Sequence, residues 1–431
     1  MRGRFTEPLR LRLKERRISP QEAVWLLTLV LFCACTAPGQ QQRAERAQEA
    51  DVSPNLAQII AQVRVHLPQH DRATTLEVAS ARGLEQVTRQ GKLISDGSRL
   101  APLLTFESPQ GVRLFGVLHR GRLLVEPHPV SGLSVTVELA LENYIEGVVA
   151  AELTLWSAEP AELEAQAIAA RSYALGTLLQ RRQSLGNPNL AKLEGGTQDQ
   201  AYKGMFEPDS SRGSQAAARR LRNAVAKTRG QFLFLEGQPF AARYSAACGG
   251  HTARLVQVFP SPIRAEAALT GAVCEGCVSR IADTGPEDPR GPLEWQTTFS
   301  PTELHQLARS LGLGSSLRRY ELGQRDASGR WLSVILVGEQ TTKEITAETL
   351  RAQLGHGRLR STRIVSSWPH AGQTISAGLH FKGLGHGHGV GLCQQGARDA
   401  ARRGWSAERI LSEAYPGTEI RRLQSPIRRR T

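Results

Sequence analysis

No segment of this 431-residue sequence repeats at a fixed period, so a solenoid or repeat array is excluded. No nucleic-acid-binding module stands out either. The net charge of +14 (54 basic against 40 acidic residues) therefore points to another anionic partner, a membrane surface or an acidic wall polymer. The apolar run AVWLLTLVLF at 23–32 is too short to span a bilayer. The glycine-rich stretch at 383–391 lacks the spacing and the lysine of a phosphate loop. No obvious pair of catalytic Asp or Glu residues is present. What remains is a globular composition, 40% hydrophobic and 22% charged, long enough for two ordinary domains or one large one.

The N-terminus reads as a compartment signal. A basic stretch at 1–17, the short apolar run and the small residues of CACTAPGQ predict an export signal over 1–37. Cys35, preceded by Ala34, offers a lipid attachment point, although Phe32 stands where lipoprotein signals usually carry Leu. A buried N-terminal helix is the competing reading; the polar stretch that follows disfavours it and predicts a linker over 38–54. The expected location is the cell envelope or periplasm, with membrane contact only through a lipid on Cys35. Residues 423–431 form a basic tail.

From about 55 to 137 short β-rich segments broken by Gly and Pro predict strands: VRVHL, TLEVAS, VRLFGVLHRGRLLVEPHP and LSVTVEL. Helical spacing then runs from 141 to about 183. Strands return at 230–250, with a hairpin turn at Glu236-Gly237. A helix is expected over 300–313, mixed elements after it, and a short helix at SAERILSEAY. Runs of strands followed by runs of helices, rather than strict alternation, predict an α+β fold.

In the segment ENYIEGVVAAE the apolar stripe Leu141, Tyr144, Ile145, Val148 ends in Glu152. Apolar surroundings and the C-terminal end of a helix both disfavour the anion, which suits a general acid. A surface glutamate just past a helix end is the plainer alternative. The next helix is better marked: Glu159 can cap it, Pro160 suits its first position, and Glu162 and Glu164 complement its dipole. On it Gln166 and Tyr173, seven apart, share a face, and Arg171 stands between small residues. These three line either a polar cleft or a solvated face.

LALENYIEGVVAAEL followed by LEAQAIAARSYAL resembles the stage II sporulation protein D (SpoIID) family. Further matches follow in the same order at 199–204 (DQAYKG), 224–252 and 387–420. The resemblance implies one large domain over 55–422 around a glycan cleft. It implies lytic cleavage of peptidoglycan strands whose stem peptides have been removed, with Glu152 as the catalytic acid and no cofactor for the chemistry. Family members also include enhancers of cell-wall amidases, so an amidase is the second expected partner. Tyr202, Ser245, His388 and Gln394 fall in matched motifs and are expected, with Gln166, Arg171 and Tyr173, to meet substrate. His386 is expected to be a surface residue. Where the family often has Met-Pro after its glutamate, this chain has Leu153-Thr154, which alters the local turn.

Four cysteines lie beyond the leader. Cys274 and Cys277 have knuckle spacing, and Cys248 with His251 gives a second half, so a structural zinc site is expected. Cys393 rivals His251 as the fourth ligand. Disulfides are one alternative, since an exported chain meets an oxidising compartment, and free thiols are the other.

Overall fold

The computed structural model describes residues 54–187, 190–259, 263–282 and 293–423. The expected export signal, Cys35, nearly all of the linker and residues 424–431 lie outside the described residues.

The fold is α+β. Its first element corrects the strand-only expectation: α1 (Pro54–Ala61) is a helix, running directly into β1 (Gln62–His66). Residues 75–119 then supply a six-stranded antiparallel sheet. Strand β2 (Gly121–Pro127) and β3 (Leu133–Ala140) join β1 in a second sheet, in the order Leu193–Glu194, β1, β3, β2, Leu104–Phe106. The register pairs Val63 with Leu139 and Val65 with Val137. Seven of the eight residues of β3 are buried: Val135, Val137 and Leu139 lie in the main hydrophobic core, and Glu138 on the other face takes Arg64 and Arg122.

Helix α2 (Leu141–Glu152) follows β3 without a loop, and the second expected helix follows as α3 (Pro160–Leu185). The break falls where Leu153 turns extended (φ −113°, ψ 148°). Glu159 caps α3 as expected, and Glu162 completes a capping box: Glu159 accepts from the third helical amide and Glu162 accepts from Glu159 N at 3.1 Å. Sixteen of the seventeen residues 162–178 of α3 are buried, so it is the central helix of the core rather than a solvated face. Its alanines let α2, α4 (Arg212–Lys227) and β4 (Gln231–Leu235) approach closely. The Glu236-Gly237 turn has positive φ at both positions (50° and 76°), as a tight hairpin requires.

Strand β5 (Tyr244–Ser245) and α5 (Glu275–Ala282) precede a lobe with a hydrophobic core of its own, built on Trp295, Phe299, Tyr320 and Phe381. One sheet of the lobe is β6 (Glu294–Phe299), β8 (Leu379–Leu384) and β7 (Ile364–Trp368), with β8 in the middle. The chain then returns to the main core through β9 (Leu392–Cys393), parallel to β5, and finishes with α6 (Gln394–Arg402), α7 (Ala407–Ala414) and β10 (Thr418–Arg422). The four cysteines form a third, small cluster with Ala247 and Leu293 where the lobe joins the main body.

Candidate active site

Leu141, Tyr144, Ile145 and Val148 are all buried, which fixes the face of α2 on which Glu152 emerges one turn on. Gly147 lies in the same stripe. A Cβ there would come within 2.6 Å of the Tyr202 ring, so only glycine lets the 199–204 segment lie flat on the helix. That segment brings the Ala201 amide to Glu152, donating to Oε1 at 2.8 Å. Tyr244 Oη and Gln394 Nε2 approach the carboxyl at the outer limit of hydrogen bonding, 3.5 Å each.

Behind these donors runs a buried chain of neutral groups. Tyr144 donates to Gln200 Oε1 at 3.1 Å, and Gln200 Nε2 donates to Tyr244 Oη at 2.8 Å and to the Ala170 carbonyl at 3.2 Å. Burial pushes the phenols of Tyr144 and Tyr244 well above their ordinary range, so both remain donors. Burial likewise raises the pKa of Glu152, against weaker opposing pulls from Ala201, Gln394, Tyr244 and Lys203. The carboxyl keeps one side open. It borders a cavity of about 300 Å³ whose wall includes Thr154, Arg360, His386, Gln395 and Arg398.

The residues expected to meet substrate divide into groups. Gln394 reaches Glu152 and lines the cavity. Gln166 stands behind it, accepting from Gln394 at 3.4 Å, and its own Nε2 is buried without a partner. Ser245, next to the wall residue Ala246, also has an unpartnered Oγ. Unpaired polar atoms of this kind concentrate at functional sites. Arg171 is not available to a ligand: it is fully buried, gripping Glu142 through two bonds (3.1 and 2.9 Å) and the Gln231 carbonyl. Tyr173 donates to Asp199, which also receives Arg181, and Tyr202 is buried with its hydroxyl 3.3 Å from His119 Nδ1. These three hold the scaffold. Of the two loop histidines, His386 and not His388 lines the cavity. Gly387 and Gly389 take positive φ (96° and 79°) and turn the chain so that His388 packs edge-on against Phe259 (5.0 Å) and accepts from Val390 N. Burial, with Arg243 and Arg330, pushes the His388 pKa down to about 3. Sequence reasoning missed Tyr144, Gln200 and Tyr244 as a connected group; all three lie inside matched motifs, which was the available signal.

The cysteines converge. The sulfurs of Cys248, Cys274, Cys277 and Cys393 all lie within 4.8 Å of one another, and Cys277 and Cys393 are 3.5 Å apart. Zinc–sulfur bonds of about 2.3 Å in a tetrahedron separate sulfurs by about 3.8 Å, so the set fits that ion. Backbone amides of Cys248 and Gly396 point at Cys393 Sγ, and that of Gly250 at Cys248 Sγ. Such crowding pushes the Cys277 thiol down and those of Cys248 and Cys393 up, because one thiolate is stabilised by its neighbours and opposes the next. Several thiolates coexist there only around a cation. No disulfide links these four residues. His251 is outside the cluster: it bridges to Val273 and its Nδ1 donates to the Thr252 carbonyl at 2.7 Å, so Cys393 completes the set instead. Cys393 also caps α6, which starts at Gln394; the cluster thereby fixes the residue that reaches Glu152.

The family model described as stage II sporulation protein (SpoIID) matches residues 130–235, the stretch that carries α2, α3 and Glu152. The chain is 30% identical over 297 residues to stage II sporulation protein D of Bacillus amyloliquefaciens, covering 67% of this chain and 76% of that one. This chain belongs to the SpoIID family. It is also 28% identical over 324 residues to an uncharacterized protein of Brachyspira hyodysenteriae (74% and 76% covered). To the amidase enhancer of Bacillus subtilis it is 25% identical over 314 residues, spanning 64% of this chain but 40% of that protein. Of the residues that line the cavity, Glu152, Leu153 and Thr154 fall within the SpoIID match; the others come from later in the chain.

Proposed function

We propose that this SpoIID-family chain is an exported lytic transglycosylase of the cell envelope, cutting the bond between N-acetylmuramic acid and N-acetylglucosamine in strands freed of stem peptides. The relatives named stage II sporulation protein D and amidase enhancer support a role at the cell wall. The observation that carries the reading is the Glu152 carboxyl, raised in pKa by burial yet open to the cavity.

Protonated Glu152 donates to the glycosidic oxygen, and the C1–O bond breaks through an oxocarbenium-like state. The carboxylate so formed takes the proton of the muramic acid's own 6-hydroxyl, whose oxygen closes on C1. One proton leaves Glu152 and one returns, giving a 1,6-anhydro end without a second carboxylate or water. Neutral donors from Ala201, Tyr244 and Gln394 steady the intervening carboxylate. Arg360, exposed on the cavity wall, supplies a cation for the lactyl carboxylate that peptide removal uncovers. Zinc held by the four cysteines serves structure, bracing the turn into α6.

Digestion of denuded strands with purified protein tests the reading: anhydro ends appear by mass with the parent and not with Glu152→Gln. The likeness to an amidase enhancer favours a second reading, a glycan binder that stimulates an amidase. Strand cutting by the isolated chain eliminates that reading; amidase stimulation by Glu152→Gln at the parent's level replaces the first with it.

A further inference from the structure

The lobe presents a sheet face that the reaction above does not use. Burial alternates along β8: Leu379, Phe381 and Gly383 face inward, while His380, Lys382 and Leu384 face outward. Directly opposed residues in antiparallel strands share a face. The outward rungs are therefore Thr298–His380–Trp368, then Gln296–Lys382–Ser366, then Glu294–Leu384. Lys382 and Glu294 neutralise each other at 2.8 Å, leaving an uncharged polar surface.

This face has two defined ends. At one, Leu293 and Gly385, the residues flanking the last rung, are joined by a 2.8 Å backbone bond and both line the Glu152 cavity. At the other lies a second cavity of about 320 Å³, bordered by Trp368, Thr298, Gln373, Thr374 and His380. His380 and Gly385, just past the end of β8, are five residue steps apart, about 17 Å at the rise of an antiparallel strand. That is the span of a few sugar rings.

Trp368 is 66% exposed, an uncommon state for a tryptophan. The loop that follows is nevertheless fixed. Tyr320 donates to the Pro369 carbonyl at 3.0 Å, Gly372 N donates to the Tyr320 carbonyl at 2.7 Å, and Ile375 N to the Arg318 carbonyl at 2.8 Å. The His370 ring meets the indole edge at 5.9 Å. An indole held in place, left bare and ringed by hydroxyl, amide and imidazole groups matches a pyranose, whose C–H face stacks on an aromatic ring while its rim seeks hydrogen bonds.

We propose that this face is a glycan-binding track, on which strand beyond the cut lies along β8 and one sugar stacks on Trp368. The inference rests on the reading that the ligand is a wall glycan. It makes the lobe a determinant of strand length: short fragments fill the cavity alone, and long strands gain the distal contact.

The test uses the full chain and denuded glycan strands fractionated by length. Trp368→Ala is expected to raise KM for long strands roughly tenfold with kcat unchanged, and to leave fragments of two to four sugars unaffected. In a Glu152→Gln background the same change weakens retention of long strands by a similar factor. A parent that cuts, with Trp368→Ala equal to it on long strands or impaired alike on short ones, overturns the track and leaves the reaction standing. A parent that never cuts but holds long strands through Trp368 overturns the reaction and supports the track. Failure both to bind and to cut overturns both.

Discussion

Glu152 and Glu162 occupy opposite ends of the break between α2 and α3, and burial pushes both carboxyls up. What faces them differs. Glu162, 1% exposed, takes both oxygens of its carboxyl to Arg398 Nε at 3.0 Å and also closes the capping box. Among the described residues, the hydrogen-bond donors to Glu152 are all neutral, Lys203 pulls on it only from beyond hydrogen-bond reach, and one side opens to the cavity. A buried carboxyl tied to an arginine is architecture; one left with neutral partners beside a cavity is free to exchange a proton. The lesson is that burial alone does not identify an acid; the charge of its partners does.

The comparison breaks most sharply by amide substitution at each position. Glu152→Gln is expected to cut turnover on denuded strands by between about 10² and 10⁴, the usual worth of a general acid. Its melting temperature at neutral pH should not fall. Glu162→Gln should do the reverse: it strands a buried Arg398, and loss of one partner of such a pair costs about 3–5 kcal/mol, read as a lower denaturant midpoint. Turnover per folded molecule should survive. Equal stability losses in both variants would erase the distinction.

Metal content tests whether the cysteine cluster supports the Glu152 side. The parent should carry one zinc per chain, and Cys277→Ser should lose it along with several degrees of melting temperature. Cutting should fall in parallel, because Cys393 caps the helix that begins at Gln394. A metal-free parent of unchanged stability ends the zinc assignment.

The smallest effects concern the neutral donors and pH. Gln394→Leu removes a donor that favours the carboxylate, so turnover should fall about tenfold or less while the alkaline limb of activity moves to higher pH. Activity of the parent should decline as pH rises through the raised pKa of Glu152. Stability follows the same sign. With the folded pKa above the unfolded one, the contribution of Glu152 is fully present below the ordinary value of 4.5 and is lost as pH rises through the folded value. Glu152→Gln should therefore gain stability over the parent across that window and match it below.

Much of the fold could be read in advance. Capping at Glu159-Pro160, the Glu236-Gly237 turn and the strand TLEVAS at Thr75–Ser80 rest on local chemistry, and all three are present. The helix at Pro54–Ala61 was missed because its short apolar pattern resembles a strand entry. Arg171 was expected to meet substrate for a different reason: an arginine among small residues looks open to a ligand until Glu142, on another helix, is brought against it. His386 and His388 are indistinguishable by spacing; alternate glycines with positive φ decide which one meets the cavity.

The sequence by itself determined the α+β character, the capped helices, the family and an acid at the end of an apolar stripe, because each is written in residues close along the chain. Tertiary structure alone decided that Cys393 and not His251 joins the other cysteines, that Tyr144, Gln200 and Tyr244 stand behind Glu152, and that Trp368 shares a strand ladder with the cavity wall. The cysteine and tyrosine–glutamine pairings join segments from 44 to 145 residues apart, and the free energy of a packed core, not local propensity, selects them.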